Sequence, residues 1–177
     1  MTTRIIIEDY NPLWPQRFET LRAPIAAALG QLAAALEHIG STAVPGLAAK
    51  PIIDIDVLLT PCADLAQAVI ALASLGYKHE GDLGIRGRDA FRPPPDSFPH
   101  HLYVCSPEGD AFHRHIAFRD HLRAHADDAA AYAHLKRHLA AKFDTDRDAY
   151  TQAKSDFIEQ ILRSTPELST RPARTII

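Results

Sequence analysis

A chain of 177 residues, 46% of them hydrophobic, is long enough to close one core and short for two. Its formal net charge of -3 leaves no electrostatic footprint for nonspecific binding to nucleic acid. No stretch approaches the roughly 20 apolar residues that cross a bilayer, Met1 to Tyr10 lacks the basic flank and apolar run of an export signal, and Cys62 and Cys105 share no metal-type spacing, so a cytoplasmic protein with free thiols and no membrane partner is expected.

In chain order, Arg4 to Glu8 with its three isoleucines reads as a short strand, broken at Asn11-Pro12. Phe18, Leu21, Ile25 and Leu29 recur at helical spacing between Leu13 and Leu29, and Gly30 supplies the stop. Ala35 to Ile39 reads as a strand, 40–50 as a loop punctuated by Gly and Pro, and Ile52 to Leu59 as a second strand. An Ala/Leu-rich helix follows from Pro61 to Leu75. The stretch 77–99 suits short strands with a hairpin around Asp89 to Arg92, interrupted by Pro93-Pro94-Pro95. His101 to Cys105 is the next strand, and three helices are expected at about 112–124, 127–143 and 147–163, with a tail after Pro166. The result is an α+β fold read as a single domain over 1–177: a mixed sheet flanked by helices over about 1–106, a helical part over about 107–165, and a tail over 166–177.

Two aspartates, Asp54 and Asp56, sit two apart on the second strand, so both face one side while Ile53, Ile55 and Val57 face the other. Adjacent carboxylates repel, and a hard divalent ion is the usual remedy, although a solvated edge aspartate beside a capping one would also satisfy the pattern. Upstream, Gly40-Ser41-Thr42 follows an apolar strand with 12 residues between Ser41 and Asp54. Glycine lets a phosphate approach the backbone, and hydroxyls and freed N–H groups can hold its oxygens; an ordinary capped turn has the same composition.

The order strand, Gly-Ser, strand with Asp-x-Asp resembles the signature of the DNA polymerase β-like nucleotidyltransferase superfamily. The longer run from Glu37-His38-Ile39-Gly40-Ser41-Thr42 through Val44-Pro45-Gly46-Leu47 to Lys50-Pro51-Ile52-Ile53-Asp54-Ile55-Asp56 resembles the hallmark of the GrpB-like family. So do His101-Leu102-Tyr103-Val104, Phe118 to Arg123, and Tyr150 through Lys154 to Ile158. The resemblance implies a nucleotidyltransferase-like fold, a pocket for a metal and a nucleotide at the aspartates, and kinship with a domain appended to some dephospho-coenzyme A kinases. It implies Mg²⁺ or Mn²⁺ as cofactor and a nucleoside triphosphate as ligand. A working member of the superfamily places a third carboxylate on a later strand. Here that strand reads His101-Leu102-Tyr103-Val104, leaving His101 as candidate metal ligand or weak base. Asp89, Asp96, Glu108 and Asp110 could substitute only if a loop brought them in.

The helical half carries its own signal. At about 100° per residue, Lys154 falls in a stripe with Tyr150, Phe157, Ile158 and Ile161; Arg119 falls between Ile116 and Leu122; and Lys136 falls with Tyr132, Leu139 and Phe143. Inward cations need an anionic target or internal carboxylates, unless their stems reach past the apolar edge. Arg123, one turn after Arg119, and Lys50, at the exit of the glycine loop, could join a phosphate patch. His113-Arg114-His115, His121 with His125, and His134 with His138 read as polar helix faces, His38 as a residue that packs or orients the loop, and Trp14 as a core anchor. The leading expectation is a metal-dependent nucleotidyltransferase-like protein: Asp54, Asp56 and His101 at the metal, Gly40, Ser41, Thr42, Lys50, Arg119, Arg123, Lys136 and Lys154 at the phosphates, and an unknown acceptor. The rival is a noncatalytic binding module for a nucleotide or coenzyme A phosphate, and a third option is a partner-binding helical domain on an unused scaffold.

Overall fold

The structure is a computed structural model that describes residues 4–164. The expected strand at 4–8 is replaced by an extended segment: Glu8 alone bridges Ala49, and the Ile5 amide donates to the Asp144 carbonyl. The isoleucines divide instead of pairing, with Ile5 packed on Leu139 and Tyr150 while Ile6 is exposed. Helix α1 (Trp14–Leu29) buries Trp14, Phe18, Ile25 and Leu29. Strand β1 (Ala33–Ile39) is followed by a 3₁₀ turn over Ser41–Ala43 and strand β2 (Ile53–Leu59). Helix α2 (Leu65–Ala73) is capped by Asp64, whose carboxylate accepts from the Ala66 amide at 3.0 Å. Strands β3 (Lys78–Gly81), β4 (Arg88–Arg92) and β5 (His100–Cys105) complete the sheet.

The sheet is mixed, in the order β1-β2-β5-β4-β3; only β2 and β5 run parallel. One face, carrying Ile53, Ile55, Val57, Phe91, Leu102 and Val104, packs on α1 and α2 through Trp14, Phe18, Ile25, Leu29, Ala68 and Leu72. Side-chain alternation sends Asp54, Asp56, His101 and Tyr103 to the other face, where helix α3 (Ala111–Ala124) lies over the sheet with Phe112 and Ala111 against Cys105.

Helix α4 (Ala126–Phe143) and two short helices, α5 (Arg147–Ala153) and α6 (Ser155–Ser164), follow. The single helix expected over 147–163 is broken at Lys154, whose amide closes the end of α5 on the Thr151 carbonyl. The loop after β1 is clamped between sheet and helices, because Val44, Leu47 and Ala48 pack on Leu122, Tyr132 and Ala133. The tail after 164 lies outside the described residues.

Candidate functional site

Gly40 has a φ of 70°, and a Cβ there would lie 2.2 Å from Asp54 Oδ2. Only glycine allows the backbone this close to the carboxylate. The turn that follows is held from three sides. His38 stacks on Phe18 with ring centres 4.7 Å apart, and its Nε2 donates to Thr42 Oγ1 at 3.0 Å, whose hydroxyl in turn donates to the Ile52 carbonyl. Burial lowers the His38 pKa to about 4, so the ring is neutral. Arg123 Nε and Nη2 both donate to the Ala43 carbonyl, at 3.0 and 2.8 Å. Arg119 Nη1 reaches Glu37 at 2.7 Å and the His38 carbonyl at 2.9 Å, while its Nε binds Asp120.

A pocket of about 70 Å³ opens in front of this turn, lined by Ser41, Thr42, Ala49, Lys50, Ile52, Asp54, His101, Lys136, Tyr150 and Lys154. Of the expected phosphate contacts, Ser41, Thr42, Lys50, Lys136 and Lys154 meet here, while Gly40 precedes Ser41 without itself lining the pocket. Arg119 and Arg123 do not: they lie behind the turn and spend their donors on its carbonyls and on Glu37 and Asp120. A helical arc reports that a side chain points inward but not which element it meets, and these two arginines meet the loop's back. Thr42 lies at the pocket edge with its hydroxyl already engaged by His38 and Ile52.

Lys136, only 2% exposed, donates to Ser41 Oγ at 2.8 Å and to the Ala48 carbonyl, with its ammonium over the Tyr132 ring. Burial, then the charge of Lys154, lowers its pKa to about 7. Lys154 sits over the Tyr150 ring at 4.6 Å, as does Lys50 at 4.9 Å. Burial and the Lys50 charge lower Lys154 to about 8 against the pull of Asp54. Three ammonium groups thus crowd about one carboxylate.

The aspartates differ sharply. Asp54, 27% exposed, has Oδ1 bound to His101 Nδ1 at 2.7 Å. Burial would raise its pKa, but the His101 hydrogen bond and charge outweigh it and hold the carboxyl below its ordinary value. Asp56 is fully buried and outside the pocket lining; its Oδ2 meets His115 Nδ1 at 2.7 Å and its Oδ1 has no protein partner among the described residues. Burial raises it despite His115. His115 comes from α3, and nothing in the His113-Arg114-His115 pattern identifies Asp56 as its partner. In the sequence Tyr150 stands out in a helical stripe and in the family-like run from Tyr150 to Ile158, neither of which makes it a site residue, yet it lines the pocket.

Two neighbouring carboxylates, one with an orphaned oxygen, suit a hard cation that completes its shell with water and phosphate oxygens. Among the described residues no group of three or more His, Cys, Asp or Glu is arranged to hold an ion by itself. His101 turns Nδ1 to Asp54, so it orients that carboxylate and keeps only Nε2 for a ligand. None of the four candidate third acids lines the pocket: Asp89 pairs in register with Val104 on the α1/α2 side and binds His79, and Glu108 binds Ser106. On the Asp56 side β4 contributes Arg88, whose guanidinium lies 4.2 Å from the centre of the Tyr103 ring. His121 and His125 stack on one another, with His121 bound to Asp128.

Among known proteins, the GrpB protein family matches residues 4–164. A UPF0157 protein of Pseudomonas aeruginosa is 41% identical over 163 residues, 90% of this chain and 66% of that protein. UPF0157 protein YqkA of Bacillus subtilis is 35% identical over 150 residues, 85% of this chain and 44% of that one. The chain therefore spans less than two thirds of either relative. A dephospho-CoA kinase of Mycolicibacterium paratuberculosis is 27% identical over 86% of this chain and 44% of its own length. The crystal structure of the conserved protein GrpB from Enterococcus faecalis superposes with a TM-score of 0.79 at 34% identity, covering 88% of this chain and 94% of that one. The Cid1 poly(U) polymerase with MgGTP bound gives 0.51 at 17% identity, covering 76% and 44%; at that identity the likeness is one of fold. The chain belongs to the GrpB family, on a nucleotidyltransferase-like fold.

Proposed function

We propose that this pocket binds a nucleoside triphosphate together with Mg²⁺ or Mn²⁺, and that nucleotidyl transfer to an acceptor is the reaction open to it. The observation that carries the reading is the convergence of Ser41, Lys50, Asp54, Lys136 and Lys154 on one small pocket from separate segments of the chain. Ser41 and the backbone at Gly40 hold phosphate oxygens, and Lys50, Lys136 and Lys154 balance their charge. Asp54 and Asp56 hold the cation, with His101 and His115 orienting the two carboxylates. Bound there, the ion would neutralise charge on the phosphates as the leaving group departs. Arg119 and Arg123 act on the ligand only through the turn they brace.

The test is thermal melting with ATP, CTP, GTP and dephospho-coenzyme A, each with Mg²⁺ or Mn²⁺ or with chelator, since ligand at 100 times Kd adds about 2.7 kcal/mol to stability. Metal-dependent stabilisation by a triphosphate, lost in Asp54→Asn, is the expected outcome. No shift with any phosphorylated ligand, or an unchanged shift in Asp54→Asn, would overturn the reading. The transfer step is checked separately by pyrophosphate release. In register with Asp56, on the same face of the sheet, β5 supplies Tyr103 and β4 supplies Ala90 where a third acid would stand. Binding with no pyrophosphate release from any acceptor pool would assign the chain to the binding modules.

A further inference from the structure

The pocket selects a part of the ligand by its lining. Its apolar lining is limited to Ala49 and Ile52. Of its two rings, Tyr150 is fully buried, with the ammonium groups of Lys50 and Lys154 against it, and His101 is tied to Asp54. Among the described residues that line the pocket, neither an apolar slot nor a free buried ring is available to enclose a base. The remaining surface is Ser41, Thr42, one carboxylate and three lysines.

We propose that the pocket recognises the bare phosphoanhydride tail, so that pyrophosphate and tripolyphosphate are ligands in their own right and the nucleoside contributes little to affinity. This deepens the nucleotide-binding reading and rests on it. Chain length decides the fit: a single phosphate meets only part of the cation set, whereas two or three linked groups can touch Ser41 and Lys136 at one wall and Lys154 and Lys50 at the other. Burial first, and neighbouring ammonium groups second, lower Lys136 to about 7 and Lys154 to about 8, and a bound polyanion would relieve the second of these. The groups facing them are Lys50, Arg137 and Asp54, with Ser41 and Tyr150 as neutral neighbours.

The experiment is calorimetric titration of the whole chain, with Mg²⁺, against tripolyphosphate, pyrophosphate, orthophosphate, ATP, GTP and adenosine. Expected are Kd values for tripolyphosphate, ATP and GTP within about threefold of one another, orthophosphate weaker by about tenfold or more, and no heat from adenosine. Lys154→Met is expected to weaken all three triphosphates by about tenfold, with Lys154→Arg restoring most of the loss and melting curves confirming that both variants fold. If ATP binds but tripolyphosphate neither binds nor displaces it, the proposal falls while the nucleotide reading stands. Tripolyphosphate binding without ATP binding sinks the nucleotide reading and leaves the bare tail as the ligand, and silence from both sinks the two together. A base preference above about tenfold that disappears in His101→Ala would also overturn the proposal, placing the base on that ring. Binding unchanged in Lys154→Met would overturn it by locating the anions elsewhere.

Discussion

Gly40→Ala would set a methyl group 2.2 Å from Asp54 Oδ2 and 2.9 Å from its Cγ, in a backbone conformation with φ of 70° that alanine resists. The expected cost exceeds about 1 kcal/mol, read as a lower urea midpoint, with loss of any triphosphate-induced stabilisation. Unchanged stability would mean that the loop can retreat from the carboxylate. Lys136 couples folding to pH. Its pKa is about 7 in the folded chain against an ordinary 10.5, so between these values the unfolded chain binds the extra proton. Stability therefore rises with pH through that window, by up to about 1.4 kcal/mol per unit for this group, and the gain is lost as pH falls back to 7. Urea titrations at pH 7.5 and 9.5 on the wild type and Lys136→Met should show a difference in slope; parallel curves would contradict the burial of a titrating lysine.

Arg119 and Arg123 tie α3 to the carbonyls of His38 and Ala43. Arg119→Met leaves a buried carbonyl without its donor, a cost of about 1–3 kcal/mol, and Arg123→Lys loses the forked contact that only guanidinium makes. Both are expected to lower the melting temperature and to weaken triphosphate binding together, because the turn they hold carries Ser41. If Arg123→Lys weakened binding with an unchanged melting temperature, Arg123 would touch the ligand itself. The strands and most helices are legible from period and punctuation. Arg4 to Glu8 misleads because three β-branched residues suit a strand wherever they stand, and here Glu8 alone makes a bridge, to the loop residue Ala49 outside the sheet. The split at Lys154 is hidden by an apolar stripe that continues through it from Tyr150 to Ile161.

At the scale of the molecule, the sheet and the helical half share surfaces: Val44, Leu47 and Ala48 pack on Leu122 and Tyr132, and Ile5 joins Leu139 and Tyr150. Unfolding followed by Trp14, buried with α1, is expected to coincide with loss of helical circular dichroism; separate transitions would mean that the halves fold apart. The candidate site is legible in the sequence where its spacing is local, at Gly40-Ser41-Thr42 and Asp54-Ile55-Asp56. It is illegible where α3 reaches the sheet, since no periodicity in 111–124 reports that His115 finds Asp56 across the fold.

Three lysines, a serine turn and an aspartate line one pocket, and we propose that it is an anion site. The most direct test is the calorimetric affinity for magnesium tripolyphosphate in the wild type and in Lys154→Met. Measurable binding that weakens by about tenfold in the variant is expected. Equal affinity in the two proteins, or no binding in the wild type, would contradict the claim.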